Sequence, residues 1–477
     1  MHHHHHHGGS GKTMLLAMFA IASGCFAQGS DVCEPQRVVA PADVPTVSMG
    51  ATVITNGQQW FLSDSSASTF CPGEPLSCGT GAVFVYEMDG NDQLVHVQTI
   101  VPHDVQLYDG FGISMDVDGD RLIVGVPNTQ WPGSELRQGA AYIYEHNDEE
   151  WVEVARLRPP GDIRERFGSK VVIEQNTAII KAAGINRFHM YEFVDGQWNN
   201  IDTISPPTSP IIPDCFACYM AAGGEWVFVS AYFDDALTRD GGSVFVYRRR
   251  ADGTLEFTQK IVTADVGWFG ISLDFDGSTL AVGAIATSRA HFGQGVVRTY
   301  TLVDGSWTLE QEITHERARE MSRLGSRVHV SGDTLFATAQ GDATSSPTIT
   351  TILGMTYIFQ RDATGSWREA GRLFPNPTGR TLQYGTGIAS AGSKVLVGSR
   401  LDWDPIEGTT GAAYLFDLTC FDCQPDLDHD GVLTIFDYLT FQTAFGTGDM
   451  LADFDGDGEL TLFDFQAFQT AFGQGCP

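Results

Sequence analysis

Positive charge is scarce in this sequence: 28 Lys and Arg stand against 59 Asp and Glu, a formal net charge of −31 at pH 7 over 477 residues. Nucleic acids and anionic membrane surfaces are held by clustered Lys and Arg, so that balance excludes both as partners. Long apolar runs are missing too. After the short run at 14–22, none approaches the ~20 residues that a membrane-spanning helix needs. Amphipathic helical periodicity is absent from most of the chain, and with it any βαβ pattern. Catalytic signatures are equally hard to find: there is no H-E-x-x-H, no S-x-D-x-G-x-T-W box and no Ser/His/Asp set. His103, His189, His291, His315 and His329 show no ligand spacing and read as surface or satisfied loop residues. On these absences the chain is expected not to be an enzyme.

What the sequence has instead is a repeated unit, clearest from Phe111 to Leu157. Phe111-Gly112 opens it, an alternating segment runs to the turn Asp118-Gly119-Asp120, and the apolar run Leu122 to Val126 returns, which reads as a β-hairpin. A third strand follows at Gly139 to Tyr144 and a fourth at Trp151 to Leu157. The opening recurs at Met49-Gly50, Phe167-Gly168, Tyr219 (where the glycine is lost), Phe269-Gly270, Leu324-Gly325 and Tyr384-Gly385, at intervals of 50 to 62 residues. Third strands recur at Gly81, Gly242, Gly295, Gly354 and Gly411. Seven four-stranded units in tandem imply a closed radial array, because an isolated sheet would leave its edges open. Asp116, Asp118 and Asp120 resemble the start of a calcium loop but sit on a hairpin, without a carboxylate at the twelfth position. They read as turn residues.

At these positions the chain resembles the FG-GAP repeats of seven-bladed β-propellers such as the integrin head. The resemblance covers roughly 36–418 and implies an all-β propeller of four-stranded blades. The last unit ends at Leu418 without a fourth strand. Gln36-Arg37-Val38-Val39 is similar to the fourth strands Gln98-Thr99-Ile100-Val101 and Gln259-Lys260-Ile261-Val262, so the N-terminal segment is expected to complete the last blade.

Ahead of the ring, residues 1–11 are a histidine tag and linker, and 12–27 read as a secretory signal ending at Cys25-Phe26-Ala27. The alternative is a lipoprotein signal, since Ala22-Ser23-Gly24-Cys25 is a degenerate lipobox. Residues 28–420 form the propeller and 421–477 a separate module. Eight of the nine cysteines follow the signal, an even number in a secreted context. Cys33 before the first strand and Cys420 after its partner suit a disulfide. Cys71 and Cys78 flank one loop, Cys215 and Cys218 form a C-x-x-C read as a structural bridge, and Cys423 and Cys476 bracket the final module.

That module carries the most specific chemistry. Two twelve-residue D-x-D-x-D-G loops begin at Asp426 and Asp453. The spacing offers calcium the carboxylates of Asp426, Asp428, Asp430 and Asp437 with the Val432 carbonyl and Thr434, and repeats the set with Asp453, Asp455, Asp457, Asp464, Glu459 and Thr461. Position twelve is Asp where EF-hands carry Glu. Each loop leads straight into a helix, at 435–445 and 462–472, with no helix before it. This duplicated loop-helix unit looks like a dockerin, with the terminal Gly475-Cys476 of its GC type. The resemblance implies two bound Ca²⁺ ions in a small all-α domain, and a cohesin-like partner contacted through Ile435, Phe436, Leu462 and Phe463. Phe441, Phe445, Phe468 and Phe472 also recur at helical spacing, more than so small a module is expected to bury.

The sequence therefore reads as a secreted, non-catalytic protein at the cell surface or outside the cell. A propeller, as a platform for protein or glycan, would be anchored by a calcium-dependent docking module. Loops such as 128–138, 233–241 and 341–353 would decide what the ring binds. The alternatives are a carbohydrate-active enzyme on the same ring or a cell adhesin.

Overall fold

A computed structural model describes residues 35–474 apart from 68–78, 105–107, 132, 135, 162–164, 208–214, 288–291, 316–319, 347–348, 363, 376–382, 404–409, 422–424, 426, 428–432 and 455–458. Seven four-stranded antiparallel sheets stand at 52–100, 114–157, 167–204, 220–262, 272–313, 324–373 and 384–417, the last completed from the N-terminus. These are blades one to seven. Their innermost strands meet in sequence around an axis, and that of blade seven meets that of blade one. The expected propeller is therefore closed.

Why the opening dipeptide recurs is visible at the joints between blades. Phe111 pairs in parallel with Gly81 of the preceding blade, Phe167 with Gly139, Phe269 with Gly242, Leu324 with Gly295 and Met49 with Gly411. The apolar residue of each pair is fully buried. Gly139 sits at φ +88°, and a Cβ there would lie 2.1 Å from the Phe167 carbonyl oxygen, so only glycine lets the two blades touch. Gly139→Ala is expected to destabilise the ring by on the order of 3 kcal/mol. The measurement is the urea midpoint at unchanged slope, and a variant as stable as the parent would remove this account of the joints.

Blade four does not start at Tyr219. Ser230 occupies the place of Ser63 in blade one, and Tyr219 stands opposite it as Thr52 stands opposite Ser63. The opening pair is therefore Phe216-Ala217, with Ala217 at φ +60° where other blades have glycine. Phe216 is fully buried between Phe188 of blade three and Phe245 of its own blade, at ring-centre distances of 5.9 and 5.3 Å. The Cys215–Cys218 disulfide spans this pair, as a structural bridge should. Cys33, Cys71, Cys78, Cys423 and Cys476, and the side chain of Cys420, lie outside the described residues.

Ring closure follows the sequence expectation. Gln36–Val38 pairs antiparallel with Thr410–Asp417, placing Gln36 opposite Leu415 and Val38 opposite Ala413. The repeated glutamine also has a cause. Gln98 exchanges two hydrogen bonds with the main chain of Trp151 in the next blade, and Gln259 and Gln311 do the same with Trp307 and Trp367. Gln36 makes this exchange with Leu94, tying blade seven to blade one. One expected loop is largely strand: 341–346 and 349–353 belong to the paired strands Thr334–Ser346 and Ile349–Arg361.

Beyond the ring, α1 (Ile435–Thr447) and α2 (Leu462–Gln474) start where the loop spacing predicts. Phe441 and Phe468 stack face to face at 4.1 Å, and Phe454 meets Phe468 edge-on at 5.3 Å. Phe441 and Phe468 are fully buried, and Phe445 and Phe472 pack half-buried beside them. The phenylalanine surplus expected to form a sticky face is therefore mostly the core of the helix pair.

Candidate functional site

Two places gather chemistry-bearing side chains: the axis of the ring and the starts of the two helices. At the axis a cavity of about 850 Å³ is lined by the innermost strands. Three residues after each opening apolar residue stand Thr52, Ser114, Lys170, Tyr219, Ser272, Arg327 and Gly387. The blades repeat the same strand direction about the axis, so these positions form one layer. Two residues further along come Asp116 in blade two, Asp274 in blade five and His329 in blade six.

The carboxylates of this second layer hold blades together. Asp116 accepts a hydrogen bond from the Ile173 N–H of the next blade at 2.9 Å, and Asp274 accepts one from the Val330 N–H at 2.8 Å. Asp118 and Asp276 do the same for Gln175 and Gly332. The aspartates read as turn formers thus also satisfy the exposed strand edge of a neighbouring sheet. Burial pushes the Asp116 carboxyl up to about 7 against the help of these N–H groups, with Asp118 and Asp274 adding repulsion. His329 bridges Asp274 and Ser390, each at 2.8 Å. His189, read as a surface or loop residue, is a fully buried strand residue between Thr203 and Glu165.

The first layer is cationic. The Lys170 ammonium lies 5.0 Å from the centre of the Tyr219 ring and the Arg327 guanidinium 5.2 Å from it. Burial opposes ionisation of Tyr219, yet Arg327 and Lys170 outweigh it and hold the phenol below its ordinary value. Behind them the Lys181 ammonium reaches the Cys218 sulfur at 2.8 Å, and burial, with Lys170 and Arg166, brings it down to about 7. Sequence reading missed this layer. The signal was present only on superposing the units, and the start of blade four had been set three residues late.

At the helix starts, Asp437 and Asp464 are fully buried carboxylates. Asp437 accepts from the Thr434 N–H at 2.8 Å, while the Thr434 hydroxyl accepts from Phe436 N–H, a reciprocal capping box. Asp464 accepts from the Thr461 N–H at 2.6 Å and, ten residues back, from the Phe454 N–H at 2.8 Å. The carboxylate at position twelve thus turns back onto the beginning of its own loop. Asp453, Thr434 and Thr461 are half-buried and Glu459 is exposed. Asp426, Asp428, Asp430, Val432, Asp455 and Asp457 lie outside the described residues. The positive end of each helix stabilises these carboxylates as anions, and among the described residues no three carboxylate, histidine or cysteine side chains converge on a common point. Ile435, Phe436, Leu462 and Phe463 are 62%, 63%, 68% and 68% exposed.

The FG-GAP repeat profile matches residues 94–144, from the fourth strand of blade one through the third strand of blade two. Among curated proteins no match is found. Solved structures with a similar course include a candidate 6-phosphogluconolactonase of Bacteroides fragilis, at 12% identity and TM-score 0.44, covering 69% of this chain and 85% of that one. A protein of Lactobacillus plantarum shows 12% identity and TM-score 0.45, covering 69% and 86%. The periplasmic gluconolactonase of Pseudomonas aeruginosa shows 14% and 0.42, covering 69% and 85%. The expectation that the chain is not an enzyme is withdrawn: it rested on missing linear motifs, and the solved propellers named here include lactonases. Around a propeller axis, groups from different blades meet without any linear motif, so missing motifs were no ground for exclusion. At such identity the likeness assigns no substrate. The chain is a seven-bladed β-propeller carrying an FG-GAP repeat, followed by two helices.

Proposed function

We propose that this protein is a secreted binding platform, its ring anchored through a calcium-dependent, dockerin-like module that docks onto a cohesin-like domain. One observation carries this reading. Four large apolar side chains at equivalent places of α1 and α2, Ile435 with Phe436 and Leu462 with Phe463, are exposed although the neighbouring aromatics are buried. Paired apolar anchors on a small duplicated unit are what a partner surface needs. The buried Asp437 and Asp464 support calcium control, since the groups that would hold the ions begin the helices that present the anchors. The Cys215–Cys218 disulfide suits an oxidising compartment.

The test replaces Phe436 and Phe463 together by Asp in the full chain and measures binding to a panel of bacterial cohesin domains in calcium. Affinity is expected to fall at least a hundredfold while the thermal midpoint stays unchanged, because both side chains face solvent. Unaltered binding by the variant would overturn the proposed surface.

A further inference from the structure

The first axial layer is bulky, with two cations, only in blades three, four and six. Its counterparts in other blades are small: Ser114 and Ser272 donate to the Gly168 and Gly325 carbonyls of the following blade at 3.0 and 2.7 Å. Lys170, Tyr219 and Arg327 replace that economical contact with two cations around one aromatic ring. Arg327 donates to the carbonyls of Thr386 and Ser326, at 2.9 and 2.8 Å. Among the described residues, neither Lys170 nor Arg327 has a carboxylate at ion-pair distance. In a chain with twice as many acidic as basic residues, two half-buried cations left together repel one another, a cost that no carboxylate ion pair of either offsets among the described residues. Arg400 lines the same cavity.

We propose that this layer is a binding site for a small organic anion, whose carboxylate or phosphate group would enter the axial cavity and sit between Lys170 and Arg327 beside the Tyr219 hydroxyl. The cavity is polarised. Its other end carries Asp116 and Asp274, acceptors that would take hydroxyl or amine hydrogens from the far side of the ligand. The volume of about 850 Å³ suits a small molecule. The site belongs to the ring and stands or falls separately from docking by the tail.

The experiment titrates the full chain with base and follows phenolate absorbance, taking the difference between the parent and Tyr219→Phe as the Tyr219 signal. Inorganic phosphate and acetate are the probes, with chloride at equal ionic strength as the control. An anion seated beside the two cations is expected to move the Tyr219 titration upward, towards its ordinary range. A shift with phosphate alone assigns a phosphate ligand, one with acetate alone a carboxylate, and either supports the site. Lys170→Gln and Arg327→Gln are each expected to weaken the anion about tenfold. Arg327 also holds main-chain carbonyls, so Lys170→Gln decides if the other variant misfolds. No shift with either anion, the same shift with chloride, or parental affinity in Lys170→Gln would overturn the proposal.

Discussion

Chelating calcium from the full chain is expected to abolish most of the helical circular dichroism contributed by Ile435–Thr447 and Leu462–Gln474, while the cooperative thermal transition of the ring persists. Two thirteen-residue helices are marginal alone in water, and among the described residues the cluster that joins them has six buried side chains. The loops before them hold carboxylates at positions 1, 3, 5 and 12 that repel one another without a cation. An ion bound only by the folded module adds about 4 kcal/mol per site at a thousandfold excess over its dissociation constant, comparable to the whole stability of so small a unit. Returning calcium is expected to restore the signal. Equal ellipticity with and without chelator would show that the phenylalanine core suffices by itself.

Deleting residues 36–40 is expected to be the most damaging change to the ring. The segment is the outer strand of blade seven. Without it the strand Thr410–Asp417 has an unpaired edge, and Val38, 3% exposed, leaves the cluster that contains Met49, Val53 and Trp60. Asp402, 2% exposed, loses the Arg37 guanidinium at 2.8 Å, and Tyr86 loses the Val39 carbonyl that its hydroxyl donates to at 2.7 Å. Asp402 keeps the Tyr414 hydroxyl at 3.1 Å, so losing the guanidinium costs roughly 2–3 kcal/mol, and the lost apolar burial adds about 2 kcal/mol. Together these imply a fall in the thermal midpoint of roughly 5 °C for a domain of this size. Arg37→Leu, which keeps the strand, is expected to show only part of that loss. A truncated chain melting with the parent would mean that the ring closes in another way.

Much of this was legible in the sequence because a propeller repeats its requirements. Each joint needs an apolar residue followed by a glycine, four of the seven outer strands carry a glutamine for their neighbour, and Gln36 announced closure for that reason. Legibility failed where one blade satisfied the requirement differently. Phe216-Ala217 performs the work of Phe-Gly inside a Cys-x-x-Cys without the marking glycine, which puts the apparent start of the blade three residues late. With that offset Tyr219 looked like an opening residue and its place beside Lys170 and Arg327 was hidden. Axial chemistry belongs to distance across the ring, and no linear spacing carries it. In the tail the loop pattern placed both helix starts, but composition could not separate the phenylalanines that stack, Phe441 and Phe468, from those that face solvent, Phe436 and Phe463.

The most direct measurement is calorimetric titration of the full chain with calcium, for the parent and for the double variant Asp437→Ala, Asp464→Ala. Two ions are expected to bind the parent and none the variant, whose loops lose the carboxylate that ties each to its helix. Absence of binding by the parent at millimolar calcium, or parental stoichiometry in the variant, would contradict a docking surface organised by metal.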